Sequence, residues 1–159
     1  GVFAQVSGLE IVGGRVVIAG SMLSGVDFGD GPLNTENLEV SPTAFIAAFE
    51  LNGTLAWSRV PTSQDGESPL GIRSLSRTWD EDLVVLSSTL TDGLLQRRDP
   101  TTGNLQGEAA IEPGASTLLI DSDGMAILAY NFYNSKSLVD QLFTSLGYSD
   151  FALNRVPMP

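Results

Sequence analysis

The chain of 159 residues has no cysteine and no histidine. That excludes zinc sites built on either residue, haem held by either, cysteine nucleophiles and Ser-His-Asp chemistry. Folding should therefore need no transition metal or haem. Lysine is almost missing: Lys136 stands alone beside seven arginines, and 19 acids against 8 bases leave a net charge of −11. Nucleic-acid affinity comes mainly from Lys and Arg on phosphates, so no nucleic-acid partner is expected. The same balance argues against an anionic membrane surface. No apolar run approaches the ~20 residues of a membrane-spanning helix. No N-terminal stretch has the basic start and apolar core of a signal peptide. The first residue is Gly1 rather than Met, which reads as a processed or excised piece. At 42% the hydrophobic content is too high for a disordered chain, and the length suffices for one domain with a real core.

Strong helix formers do not cluster. The one stretch with helical spacing, Ser137 to Leu146, carries Ser, Thr and β-branched Val and ends at Gly147. Strands dominate instead. Arg15 to Met22 follows the turn signal Gly13-Gly14. Thr43 to Glu50 and Thr54 to Val60 flank Asn52-Gly53, a hairpin signal whose tight form needs positive φ at both central residues. Further strands are expected at Val2 to Ile11, Gly71 to Trp79, Asp82 to Leu90, Leu94 to Asp99, Asn104 to Ile111, Ser116 to Asp121, Met125 to Phe132 and Asp150 to Val156. That makes about eleven strands.

Several of these runs are apolar on both faces: Val16 to Ala19, Phe45 to Phe49, Leu83 to Leu86 and Met125 to Ala129. A sandwich strand usually alternates. Parallel α/β sheets are buried on both sides but need crossover connections, usually helices. A β-propeller satisfies both facts, because its small antiparallel sheets stack face to face. Val17, Ile18, Phe45, Ala47, Val84, Val85, Ile127 and Leu128 are the expected core.

Internal repeats point the same way. Val16 to Met22 aligns with Ala126 to Phe132, and Thr43 to Ala47 aligns with Ser149 to Leu153. Between them Val26 to Phe28 matches Lys136 to Leu138 loosely, and Leu33 falls near Leu142. A second echo joins Phe49 to Leu55 with Arg98 to Leu105. The expected fold is all-β and propeller-type, with about three four-stranded antiparallel blades in a single segment spanning residues 1–159. Its units cover about 3–60, 70–111 and 115–156, each near the length of one blade.

The run Val17 to Ser21, then Gly25-Val26-Asp27-Phe28-Gly29-Asp30-Gly31-Pro32-Leu33, then Ala44 to Phe49, then Asn52 to Ser58 resembles the SBBP-type β-propeller repeats of myxobacteria and related bacteria. The third unit resembles them in its tail, Leu142 to Ala152, and the second only in outline. The Asp99 to Leu105 stretch looks like the turn of quinoprotein-type repeats. The resemblance implies a propeller and an extracellular, periplasmic or cell-envelope location. It implies little about activity.

Asp121-Ser122-Asp123-Gly124 has the spaced carboxylates of a calcium loop, but Ala126 and Phe132 fall where such a loop needs Gly and the bidentate Glu. It reads as a turn between strands. Asp27 to Gly31 is a second acidic loop, with Asp27 and Asp30 as cation candidates and Phe28 as a plug against its blade. Asp27, Asp30, Asp121 and Asp123 are the only metal candidates, and no metal site is assigned. Trp79 to Asp82 reads as a solvated hairpin turn. Asn52-Gly53-Thr54 fits a glycosylation sequon but also a turn. Trp57 and Trp79 read as blade-packing residues rather than sugar platforms, with partial exposure open to either. No phosphate loop or nucleophile elbow is present.

The expected function is a non-enzymatic scaffold or binding module, with no cofactor and no catalytic residues, making protein-protein contacts in a secreted or envelope assembly. The alternative is a propeller hydrolase or lyase using acidic residues on polysaccharide, which needs carboxylates with raised pKa in one cleft. A quinone-dependent dehydrogenase would need cofactor-binding residues that the sequence does not display. Three units fall short of the four to eight blades of closed propellers, and the third unit stops before a counterpart of Thr54 to Val60. Each end should therefore expose an apolar face. Further blades, a protein partner or a second copy (giving six) would cover it.

Overall fold

The computed structural model describes residues 4–23, 25–33, 42–132, 135–138, 141–144 and 150–159. These residues form an all-β structure of antiparallel sheets, without a helix among them. No helix in that set is therefore long and apolar enough to cross a membrane. The first sheet is a meander of β1 (Ala4–Val12), β2 (Arg15–Met22), β3 (Thr43–Glu50) and β4 (Leu55–Arg59). The second repeats it with β5 (Gly71–Arg77), β6 (Leu83–Ser88), β7 (Gly93–Arg98) and β8 (Leu105–Ile111). The third has β9 (Ala115–Ile120) and β10 (Ala126–Phe132), then a separate hairpin of β11 (Ser135–Leu138) and β12 (Gln141–Thr144), then β13 (Asp150–Val156), which returns to pair with β10. This third sheet has three strands, not the four of a full repeat. Val2, Phe3, Ser149 and the stretch from Ser145 to Leu146 lie outside the described residues.

The described part of Ser137 to Leu146, a weak helix candidate in the sequence, is extended: Ser135 to Leu138 pair with Thr144 to Gln141 in antiparallel register. Phe143 and Thr144 are residue types that favour strands, in keeping with that pairing.

The sheets stack because β6 is apolar on both sides. Leu83 and Val85 join Val17, Ala19, Ala44, Ile46 and Ala48 of the first sheet in one core. Val84 and Leu86, pointing the other way, join Ala126, Leu128, Tyr130 and Ala152 of the third. The second sheet is thus a middle layer, packed on both sides of β6. The leading strands β1, β5 and β9 also touch in succession. Of the eight expected core residues, Val17, Phe45, Ala47, Val84, Val85 and Leu128 are buried. Ile18 and Ile127 are half-buried, because they lie on the outward faces of the two end sheets.

The sequence echoes correspond to structure, with one slip. Val16 to Met22 and Ala126 to Phe132 are both second strands of their sheets. In register, however, Tyr130 pairs with Ala152 as Gly20 pairs with Phe45. Phe45 therefore corresponds to Ala152, and Phe151 lies on the opposite face. One residue of slip flips a side chain across a sheet. The second echo is exact in device: Phe49 to Leu55 and Arg98 to Leu105 each turn into a bulged pairing with the last strand.

The turns share a geometry different from the tight Asn-Gly form. In Glu50–Thr54, Thr78–Asp82 and Asp121–Met125 the chain makes a three-residue loop closed by two backbone hydrogen bonds. The last loop residue takes positive φ: Gly53 at 88°, Glu81 at 63° and Gly124 at 76°. Only Gly53 of the Asn52-Gly53 pair is left-handed, and the Asn52 side chain accepts the Thr54 N–H instead.

Candidate functional site

Stacking three sheets leaves two outward faces. On the third sheet, Leu119 pairs across Ile127, Leu153 across Ala129 and Phe151 across Asn131. These positions alternate with the buried Ala126, Leu128 and Tyr130, so they share the face turned from the second sheet. Leu119, Phe151 and Leu153 are 59%, 71% and 60% exposed. Burying them under a partner would contribute about 1–2 kcal/mol each from apolar area alone. On the first sheet, Leu9 pairs across Ile18 and Ile11 across Val16, again facing outward, and Leu9 and Ile11 are exposed. The β3 side of that face is closed by the chain itself. Phe28 lies 5.3 Å from the Phe45 ring and 6.1 Å from Phe49, the plug expected of this loop.

The two acidic loops use their carboxylates internally. One Asp27 oxygen accepts the N–H groups of Gly29 at 2.7 Å and Gly31 at 3.1 Å, while Asp30 is exposed at the loop tip. Asp121 accepts the N–H groups of Asp123 and Met125 through one oxygen. Its other oxygen takes Arg155 Nε at 2.6 Å, and Asp123 takes Arg155 Nη2 at 2.6 Å. The Arg155 hydrogen bond, then the Met125 N–H, holds the Asp121 carboxyl below its ordinary range. Among the described residues no three acidic side chains gather as a metal would need.

The tryptophans part ways. Trp57 lies between the first two sheets, donates its indole N–H to the Pro100 carbonyl at 3.1 Å, and carries Arg59 over its ring. Trp79 is not a packing residue: it is 78% exposed on the Thr78–Asp82 turn, where a three-residue loop points its first side chain outward. In that turn Glu81 binds Arg77 and the Gly13 N–H, tying the second sheet to the first.

A polar cluster that sequence reasoning missed fastens residues 60–67 over the second sheet. Gln96 and Arg98 are 0% and 2% exposed. Arg98 donates to the carbonyls of Thr62 at 2.8 Å and Gly103 at 3.0 Å and to Gln96 Oε1. Gln96 donates to Glu108 at 2.6 Å, which in turn accepts the Gln64 N–H. Burial and then the nearby Arg59 lower the Arg98 pKa to about 10, so it stays charged at neutral pH. Beside this latch runs an open groove of about 580 Å³ with Asp65, Glu67, Asp92 and Glu108 on its walls. Among the described residues, hydrogen bonding also lowers the pKa of Asp99, as it does that of Asp121. No protein-family model matches the chain, and no curated protein matches it.

Proposed function

We propose that the chain is a β-propeller segment that works as a non-enzymatic scaffold or binding module in a secreted or envelope-associated bacterial assembly. The observation that carries this reading is the outward face of the third sheet, where Leu119, Phe151 and Leu153 stand exposed around Ile127 and Ala129. Meandering antiparallel sheets stacked with their leading strands in contact are what consecutive blades require. The apolar end face is what a blade presents to its neighbour, and exposed apolar patches of this kind mark interaction sites. The location rests on the likeness of Gly25 to Leu33 and its flanking strands to SBBP-type repeats.

The test is light scattering of the purified chain across a concentration series, beside Leu153→Asp. The reading expects wild-type protein to associate and the variant to return to monomer mass with an unchanged far-UV spectrum. A wild-type chain that stays a monodisperse monomer at high concentration overturns it.

A further inference from the structure

The leading strand of every sheet carries one extra residue at the same point. The pairing of β1 with β2 shifts at Ser7, that of β5 with β6 at Arg73, and that of β9 with β10 at Ser116. The positions opposite, Gly20, Ser87 and Tyr130, are equivalent across the three sheets. A bulge frees its extra residue from the ladder and re-aims it, and bulges recur beside binding sites. Because β1, β5 and β9 lie side by side, the three freed residues meet. They line one recess of about 460 Å³, together with Gln5, Ser21 and Ser88.

Two of the three are committed to the backbone. The Ser7 hydroxyl donates to the Ile72 carbonyl, and the Ser116 hydroxyl donates to the Ala129 carbonyl at 3.3 Å. Arg73 is different. Arg15, Arg77, Arg97 and Arg155 are paired with carboxylates, Arg98 is buried in its latch, and Arg59 bonds Asn104. Arg73 has no hydrogen-bond or acidic partner among the described residues. This is in a chain with 19 acids, and among the described residues no acidic side chain lines the recess. The described lining thus brings one guanidinium and no carboxylate to the recess. Ser21, Ser88 and Gln5, which carry neutral donors, are also part of its lining.

We propose that this recess binds a compact oxyanion, a carboxylate or phosphate group of a small ligand, on the guanidinium of Arg73. The planar fork of arginine matches two oxygens of such a group, with the neutral donors completing the shell. Surrounding negative charge disfavours large polyanions and leaves room for a single anionic group.

The experiment is an amide and arginine-Nε NMR titration of the full chain with sodium acetate, sodium glucuronate and inorganic phosphate at constant ionic strength, repeated on Arg73→Gln. The recess is expected to respond saturably at Arg73 Nε and at the amides of Ser7 and Ser116. The Arg73→Gln variant should weaken binding at least tenfold while keeping the wild-type spectrum elsewhere. Saturation by both carboxylates assigns a carboxylate ligand, and saturation by phosphate alone assigns a phosphate. Absence of saturable binding by all three, or equal affinity in Arg73→Gln, overturns the proposal. Arg73 lies at the axial strands rather than on the outward face of the third sheet, so this result is independent of whether the chain associates.

Discussion

Gly20→Ala probes the bulge of the first sheet at its tightest point. A Cβ on Gly20 would overlap the Gln5 carbonyl oxygen, 2.9 Å from its carbon and 3.0 Å from Val6 Cα. Carbon atoms in ordinary contact sit about 3.5–4.0 Å apart. All three neighbours are backbone, so no side chain can turn aside, and β1 must retreat from β2. Retreat disrupts the Val6–Gly20 pairing and draws the Ser7 hydroxyl off Ile72. Each lost hydrogen bond costs about 1 kcal/mol and overpacking about 1–3 kcal/mol, so the variant should be less stable by about 3 kcal/mol. For a chain of this length that is a fall of about 6–12 °C in Tm. Urea unfolding followed by tryptophan fluorescence and far-UV circular dichroism measures it, with Ser21→Ala as a neighbour expected to stay within about 0.5 kcal/mol. Ser87 and Tyr130 occupy the equivalent positions with full side chains. If Gly20→Ala matches wild type within about 0.5 kcal/mol, the first bulge can adopt their geometry and the reasoning fails.

Arg98→Met should cost about 3 kcal/mol in urea unfolding, because it strips the donors from Thr62, Gly103 and Gln96 in a buried site. Arg77→Met, at an exposed pair, should cost less than about 0.5 kcal/mol; equal effects at the two sites would refute the latch. The Asp121 carboxyl is held below its ordinary value of 3.8 in the folded state, so its stabilising contribution is complete above that value. It is lost as pH falls through the depressed folded pKa. Asp121→Asn should therefore flatten the decline of the urea midpoint between about pH 4 and pH 2, and an unchanged slope would count against the Arg155 pairing as its cause.

The strands were readable because runs such as Leu83 to Leu86 are apolar at every position, a pattern that only stacking on both sides explains. The turns were readable in place, since Gly53 and Gly124 mark them, but Glu81 takes the same left-handed position without any sequence sign. The face of Phe151 was not readable. Its likeness to Phe45 is chemical, and register depends on the pairing of the whole strand, which a drifting loop length conceals. The bulges at Ser7, Arg73 and Ser116 leave no compositional trace, being one residue in excess of a partner strand far along the chain. The Gln96–Arg98–Glu108 latch was hidden for a similar reason: it exists only once residues 60–67 lie across the second sheet. The candidate cation ligands were visible as Asp27 and Asp121, but not the hydrogen bonds that already occupy their oxygens.

The two sides of the middle sheet are not alike in residues, yet each accepts the neighbour that the meander delivers to it. The first sheet offers the second the same side that the second offers the third. A gene that duplicated one such unit in tandem would create no new kind of joint, only another instance of one already solved. Length in this architecture can therefore change by whole units while each core keeps its composition, and selection on the number of units is separable from selection on the packing inside them. The outward faces bear the burden of that freedom, since an end face lacks the cover that every internal joint supplies.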